Sequence, residues 1–232
     1  MPYLQNMCPK ELKSAIQSGT PLLIGVGTIE YHGSQLPLGT DLMFVEGTLR
    51  ELEKKLPVVI APSFVYSPNG YAVSGPENGT VDISVDCFIR YCAEILHAYR
   101  QMGFKKIKVF VHHQASNIRK FIEVAIMKTG MYALQNELGN GWWTEDKSTA
   151  YPAEIEVCDT VIGTKEILAA FGGHGGKGET QAIMATYPET VKMNELTDNE
   201  PSWNRTAAAA DEKEAKRCFD ILIQNHVEKL GK

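Results

Sequence analysis

The sequence predicts an α/β fold: a single domain built on a mostly parallel central sheet with helices on its flanks. Three observations carry that prediction. Short apolar runs at Pro21 to Gly27 and Pro57 to Pro62 read as buried strands, and Lys106 to Val111 reads as a third strand. Each is followed by a polar loop and then by apolar residues at helical spacing, the rhythm of a parallel sheet covered by helices. No repeat, low-complexity tract or Pro/Ser-rich linker divides the 232 residues, a length that one α/β core can fill.

In chain order, Pro21-Leu-Leu-Ile-Gly-Val-Gly27 reads as a buried strand running into a Gly/Pro-punctuated loop, Thr28 to Thr40. Asp41 is placed to cap a helix reaching about Leu56, because its carboxylate can accept from the free N–H groups of a first turn. Pro57 to Pro62 is the second strand, and Ser63 to Gly79 is a long loop rich in Pro, Gly, Asn and Ser. Phe88, Ile89, Cys92, Ile95, Leu96 and Tyr99 recur on one face of a helix from Val85 to Met102, which Gly103 ends. Lys106 to Val111 is the third strand, and Asn117 leads into a helix from Ile118 to Lys128. Trp142 to Ile162 has no clear period. Ile183 to Tyr187 and Thr206 to Leu230 read as helices, the last closing the fold.

The composition is that of an ordinary soluble globular chain, 44% hydrophobic and 22% charged with a formal charge of −5. No basic stripe offers a surface to nucleic acid, and no apolar run approaches the roughly 20 residues needed to span a bilayer. The five cysteines are scattered and lack C-x-x-C spacing. That argues against a disulfide framework or a structural zinc site and for a reducing, cytoplasmic setting.

Ligand sites in open parallel sheets form beyond the carboxyl ends of strands, and three polar clusters fall there. The first, Thr28 to Asp41, places Glu30, His32 and Asp41 on one glycine-punctuated loop. Glu30 and His32 are two apart and point the same way on extended backbone. Mixed N/O donors of this kind suit a divalent ion such as Zn, Mn or Fe(II). By spacing alone they fit equally well as polar loop residues, with Asp41 only a helix cap. The second cluster sets His112 and His113 directly after a strand. They face opposite sides if the strand continues, which leaves at most one as a ligand; the plainer alternative is a histidine bonded to backbone. The third, Gly172 to Gln181, fails the phosphate-loop pattern: Gly178 follows Lys177 where Ser or Thr is needed, and Phe171 stands at the first glycine. Gly25-Val-Gly27 likewise lacks the third glycine of a dinucleotide fingerprint. The glycines of the third cluster instead let backbone approach a ligand closely and present His174 and Glu179 at a helix start.

Together these clusters resemble the creatininase (creatinine amidohydrolase) family. Its first signature, Thr-Glu-x-His-Gly-x-x-Leu-Pro-Leu-Gly-Thr-Asp, is matched from Thr28 to Asp41 with Ile29 inserted. Its last, His-x-Gly-x-x-Glu-Thr with a helix and Pro-Glu, is matched by His174, Gly176, Glu179, Thr180, Pro188 and Glu189. Glu77 to Ile83 is similar to the family's Phe-Pro-Gly-Thr-Ile-Ser segment. One motif departs: Val111 to Asn117 replaces Asn-Gly-His-Gly-Gly-Asn, which puts the family's metal-binding histidine on His113 and Ala115 where creatininase supplies a carboxylate. That change argues for a substrate other than creatinine. The resemblance implies a parallel-sheet α/β fold, a two-metal centre and homo-oligomeric assembly, a hexamer among the forms.

On that basis Glu30, Asp41 and His113 are expected to hold one ion and His32, Asp41 and Glu179 the other, with Asp41 bridging. The expected chemistry is hydrolysis by a metal-activated water, with His174 the candidate general acid or an orienting neighbour, and Glu179 counted with the catalytic groups as well as the ligands. Tyr71, Trp142 and Trp143 are candidates for a small-ring pocket, or core aromatics. The leading substrate class is a small cyclic amide or related C–N compound. A cyclic keto-inositol, a formamide or a peptide end would use the same water. A non-catalytic protein holding metal structurally is the alternative of another class, opposed by the cost of burying unpaired carboxylates without a cation.

Overall fold

The computed structural model describes residues 3–138, 154–197 and 200–231. Four parallel strands, β1 (Leu22–Val26), β2 (Val59–Ile60), β3 (Lys106–Val111) and β4 (Glu154–Asp159), form a sheet in the order β2-β1-β3-β4. Seven α-helices are described: α1 (Pro9–Gln17), α2 (Thr40–Glu53), α3 (Val85–Met102), α4 (Ala115–Leu138), α5 (Lys165–Phe171), α6 (Lys177–Thr186) and α7 (Glu212–Leu230).

Alternation along the strands divides the core into two layers. Leu22, Ile24 and Val26 pack with Ile107, Val109 and Val111 against Phe88, Cys92 and Leu96 of α3 and Ile118 and Ile122 of α4. Leu23, Phe110 and Cys158 face the other way, toward Phe44 and Leu49 of α2, Phe171 of α5, Ile183 of α6 and Phe219 and Leu222 of α7. Both faces are covered, and β1 accordingly reads as an unbroken apolar run, while β3 and β4 admit charged residues at their partly exposed positions.

Several expected boundaries move. Only Val59 and Ile60 of the second apolar run join the sheet, between flanking prolines that lack an N–H to give the ladder. α2 begins at Thr40 with Gly39 at its cap, so Asp41 sits inside the first turn and its carboxylate is free for other work. α4 runs well beyond Lys128, and the glycine-rich third cluster enters α6 at Lys177, a turn and a half before Ile183. The stretch from Thr206 divides into a 3-10 turn, Ala207–Ala209, and α7, whose cap Asp211 accepts from the Glu214 N–H. By contrast α3 and β3 keep their expected limits. Ser84 caps α3, and Gly103 at φ 107 ends it in the left-handed conformation that only glycine adopts cheaply. No described helix is long and apolar enough to cross a membrane, and all five cysteines are free.

Candidate metal centre

The first two polar clusters leave the sheet side by side. Val26 and Val111, the last residues of adjacent parallel strands, are in register, so the loops that follow them start at the same level. After β1 the chain folds back on itself: Glu30 N–H donates to the Leu38 carbonyl at 2.8 Å, and Ile29 bridges to Val81. Gly27 lets the strand end meet the start of α2, since a Cβ there would overlap Leu42. Asp41, in that first turn, therefore faces the same space as Glu30 and His32. The third cluster closes the space from the far side, with Glu179 in the first turn of α6.

Five expected metal residues converge. His32 Nε2 lies 3.1 Å from Asp41 Oδ2 and 3.6 Å from Glu179 Oε2. His113 Nδ1 lies 3.3 Å from both Glu30 Oε2 and Asp41 Oδ2. Donor atoms of Glu30, Asp41 and His113 fall within 4.8 Å of one another, as do those of His32, Asp41 and Glu179, and Asp41 belongs to both sets. A third set, Glu30, His32 and His174, meets the same limit. All but His174 are buried.

The partners behind the rings determine which nitrogens face the carboxylates. His32 Nδ1 is 2.8 Å from the Glu30 carbonyl and His113 Nε2 is 3.3 Å from that of Pro68. A carbonyl only accepts, so those nitrogens carry the hydrogens and the opposite nitrogens turn lone pairs toward the carboxylates. Lone pair thus faces lone pair. Glu30 Oε2, Asp41 Oδ2, His32 Nε2 and His112 Nε2 are buried without a hydrogen-bond partner. An arrangement of this kind is stable only with a cation, proton or metal, between the donors.

In the metal-free protein protons fill that place. Burial opposes a charge on His32, but Asp41 and Glu179 overcome it and push the imidazole up to about 10. His113 is also raised, burial being outweighed by Asp41 and Glu30. Burial works against the Asp41 carboxylate too, yet His32 and His113 hold it well below the usual range. Glu30 is raised by burial, and further by Asp41 and Glu179.

A cavity of about 470 Å³ opens onto this cluster, walled by Val73, Val161, Gln114, His112 and His174 besides the acidic groups. His112 and His113 both line it, and of the two only His113 belongs to a donor set among the described residues, in keeping with the expectation of at most one ligand. β3 ends at Val111 and Gln114 turns at φ 37, so strand alternation no longer separates them. His112 Nε2 lies 3.6 Å from Glu179 Oε1. His174 stacks on His32 at 4.4 Å and points Nε2 at the Tyr31 carbonyl, 2.9 Å away. Burial, and then the charge on His32, hold His174 below the usual histidine range.

Of the expected pocket aromatics, Tyr71 is half exposed, and the residue of its loop that lines the cavity is Val73. Trp142 and Trp143 lie outside the described residues. An aromatic that carried no motif signal, Trp203, makes edge-to-face contacts with both His174 and Tyr31.

Comparisons with known proteins follow this geometry. A family model described as Creatininase, creatinine amidohydrolase, matches residues 5–227. The chain is 27% identical over 210 residues to the 3-dehydro-scyllo-inosose hydrolase of Thermotoga maritima, covering 86% of this chain and 60% of that longer relative. It is 20% identical over 208 residues to the creatinine amidohydrolase of Pseudomonas putida, covering 86% and 77%. The crystal structure of a creatinine amidohydrolase (creatininase) superposes with a TM-score of 0.80 at 14% identity, covering 99% and 96% of the two chains. A manganese form of creatininase gives a TM-score of 0.80 at 16% identity, covering 99% and 97%. At these identities the structures show a shared fold.

Proposed function

The chain belongs to the creatininase family, and from that membership we propose that it is a metal-dependent hydrolase acting on a small cyclic amide or a related C–N bond. One observation carries the reading: Glu30 Oε2, Asp41 Oδ2 and the lone pair of His32 Nε2 are buried without a hydrogen-bond partner where the donor atoms of Glu30, Asp41 and His113 and those of His32, Asp41 and Glu179 converge. In the proposal Glu30, Asp41 and His113 hold one divalent ion and His32, Asp41 and Glu179 a second. The solved relatives include manganese and zinc forms, and the mixed N/O donors suit Zn, Mn or Fe(II). Such ions supply Lewis acidity, which acidifies a water and polarises a carbonyl.

The chain's own residues do the rest. Asp41, common to both donor sets, fixes the spacing of the two subsites. His174 donates its Nε2 hydrogen to Tyr31, and its depressed basicity leaves it neutral at pH 7. A neutral ring has to take a proton before it can give one. His174 therefore accepts the proton that the water sheds and passes it to the departing nitrogen, and the water's oxygen stays on the carbonyl carbon. Val73 and Val161 supply apolar wall to the cavity.

A second substrate class has specific support. The relative at 27% identity is named for hydrolysis of a keto-inositol, and among the described residues His112, Gln114 and His174 line the cavity beside two valines. Such walls suit a hydroxyl-rich ring. A formamide would use the same centre. Homo-oligomeric assembly and a cytoplasmic setting complete the proposal, supported by family membership and five free cysteines.

The test is a screen of the Mn- or Zn-loaded protein against lactams, cyclic ureides, formamides and polyhydroxylated cyclic ketones, with Asp41→Ala alongside. Turnover of one class by the parent, and loss of both metal and turnover in Asp41→Ala, is the expected result. A variant that still held two ions per chain and stayed active would overturn the shared-ligand assignment.

A further inference from the structure

Glu179 is the donor with the least support from its own neighbourhood, because it sits after a run of glycines that impose little conformation of their own. Its Oε2 accepts the Gly175 N–H at 2.6 Å. The carbonyl of the same residue accepts from Gln35 Nε2 at 2.7 Å, so Gly175 is gripped on both sides. Thr180 Oγ1, next to Glu179 in the chain, lies 3.1 Å from Gln35 Nε2, whose two hydrogens are shared among Gly175, Thr180 and Asn204. Gln35 belongs to the loop that carries Glu30 and His32, and it is fully buried.

The Gln35 amide is oriented from further out. It exchanges two hydrogen bonds with Asn204, Nε2 to Oδ1 at 3.0 Å and Nδ2 to Oε1 at 3.1 Å. The other Nδ2 hydrogen of Asn204 goes to Glu200 Oε2 at 2.8 Å. An ionised carboxylate only accepts, so Glu200 dictates which end of Asn204 is nitrogen, and Asn204 in turn dictates which end of Gln35 is. Glu200 is itself held by Ser34 Oγ at 2.8 Å and the Thr197 N–H at 3.2 Å. The packing is as tight as the bonding. A Cβ on Gly175 would meet the Trp203 ring and the His32 carbonyl, and one on Gly33 would meet Asn204 Nδ2.

We infer that Gln35 and Asn204 are positioning residues: their amide pair, polarised by Glu200, sets Glu179 against His32 and so forms the second cation subsite. Neither side chain belongs to either set of donors proposed to hold an ion. The inference rests on the two-cation reading above and adds a device to it. The first subsite, Glu30 with Asp41 and His113, draws on none of these bonds, so disturbing the pair should weaken one ion selectively.

The experiment uses the full chain stripped of metal and titrated with Mn(II), followed by calorimetry, metal analysis and electron paramagnetic resonance. The parent is expected to take up two ions per chain and to show an exchange-coupled signal. Gln35→Met and Asn204→Asp are expected to keep the first ion and to bind the second about 10–100-fold more weakly, with the six-line signal of an isolated Mn(II). Glu200→Gln keeps the amide pair but removes its orientation, and shifts the second ion the same way by less. If either of the first two variants fails to fold, Glu200→Gln carries the comparison. Variants that bind both ions as the parent does, or that weaken both ions equally, overturn the inference. A parent that binds fewer than two ions defeats the two-cation reading itself, before any substitution is made, and the inference falls with it.

Discussion

Loading the metal-free protein with Mn(II) at pH 7 should release at least one proton per chain, and His32 is its source. Asp41 and Glu179 prevail over burial to push that imidazole up to about 10. The ring is therefore charged at pH 7. Its Nδ1 is committed to the Glu30 carbonyl, so the second proton sits on Nε2, facing Asp41 and Glu179. A cation taking that nitrogen must displace the proton. The interval between about 10 and pH 7 costs about 10³ in apparent affinity, or about 4 kcal/mol. The sign is definite: a raised pKa stabilises the metal-free fold below the ordinary value of 6.5, and that stabilisation is lost as pH rises through about 10. The metal-loaded fold gains over the same interval. At a fixed, saturating concentration of free ion its lead widens by about 1.4 kcal/mol per pH unit for one displaced proton, which is roughly 3–5 °C in Tm for a chain of this size. Calorimetry at pH 7 in two buffers of different ionisation enthalpy counts the protons, and thermal melts at pH 6.5, 7.5 and 8.5 read the gap. Zero proton release, or a gap that does not change with pH, would refute this account of the cluster.

Three further outcomes are expected. His174→Ala should keep both ions by metal analysis and lose about 10²–10⁴ in kcat; loss of metal would instead make His174 a ligand. Gly175→Ala forces a side chain onto a residue at φ 61 whose Cβ would lie 2.7 Å from the His32 carbonyl oxygen. It should cost about 1–3 kcal/mol or more in a denaturant melt, and an unchanged midpoint would show that the three segments do not cross as tightly as described. Phe44→Ala removes a fully buried ring packed on His112, Phe171 and Phe219. A loss of about 3–5 kcal/mol is expected, and a cost under 1 kcal/mol would contradict its place in the core.

The parts legible in the sequence are those whose causes are local. α3 announces itself through a serine cap, a regular apolar stripe and a glycine stop, and β3 through its branched residues. The first polar cluster is legible because Glu30, His32 and Asp41 share one loop. What that loop does not reveal is Asp41's freedom from capping, which depends on Gly39 taking the cap position. His112 was hidden for a different reason. Alternation applies only while a strand lasts, and β3 ends at Val111, before either histidine. α1 left readable signs, with Pro9 at its first position, Glu11 reaching back to the Cys8 N–H, and Leu12, Ala15 and Ile16 at helical spacing on the face that packs on the core. Gln35, Glu200, Trp203 and Asn204 left none. Apart from the local bonds of Glu200 to Thr197 and Asn204, their partners are far away in the chain, and no spacing in a single sequence encodes contacts of that range.

The donors that meet at the candidate centre come from early in the chain, from its middle and from its last third. Ions clasped there would act as a knot tied through all three. The knot would stiffen the sheet's upper rim much as a covalent cross-link stiffens a small secreted protein, although this chain's cysteines are all unlinked. Chemistry and endurance would then share one set of side chains, and a change that loosens the grip to speed release of product would also shorten the life of the folded state.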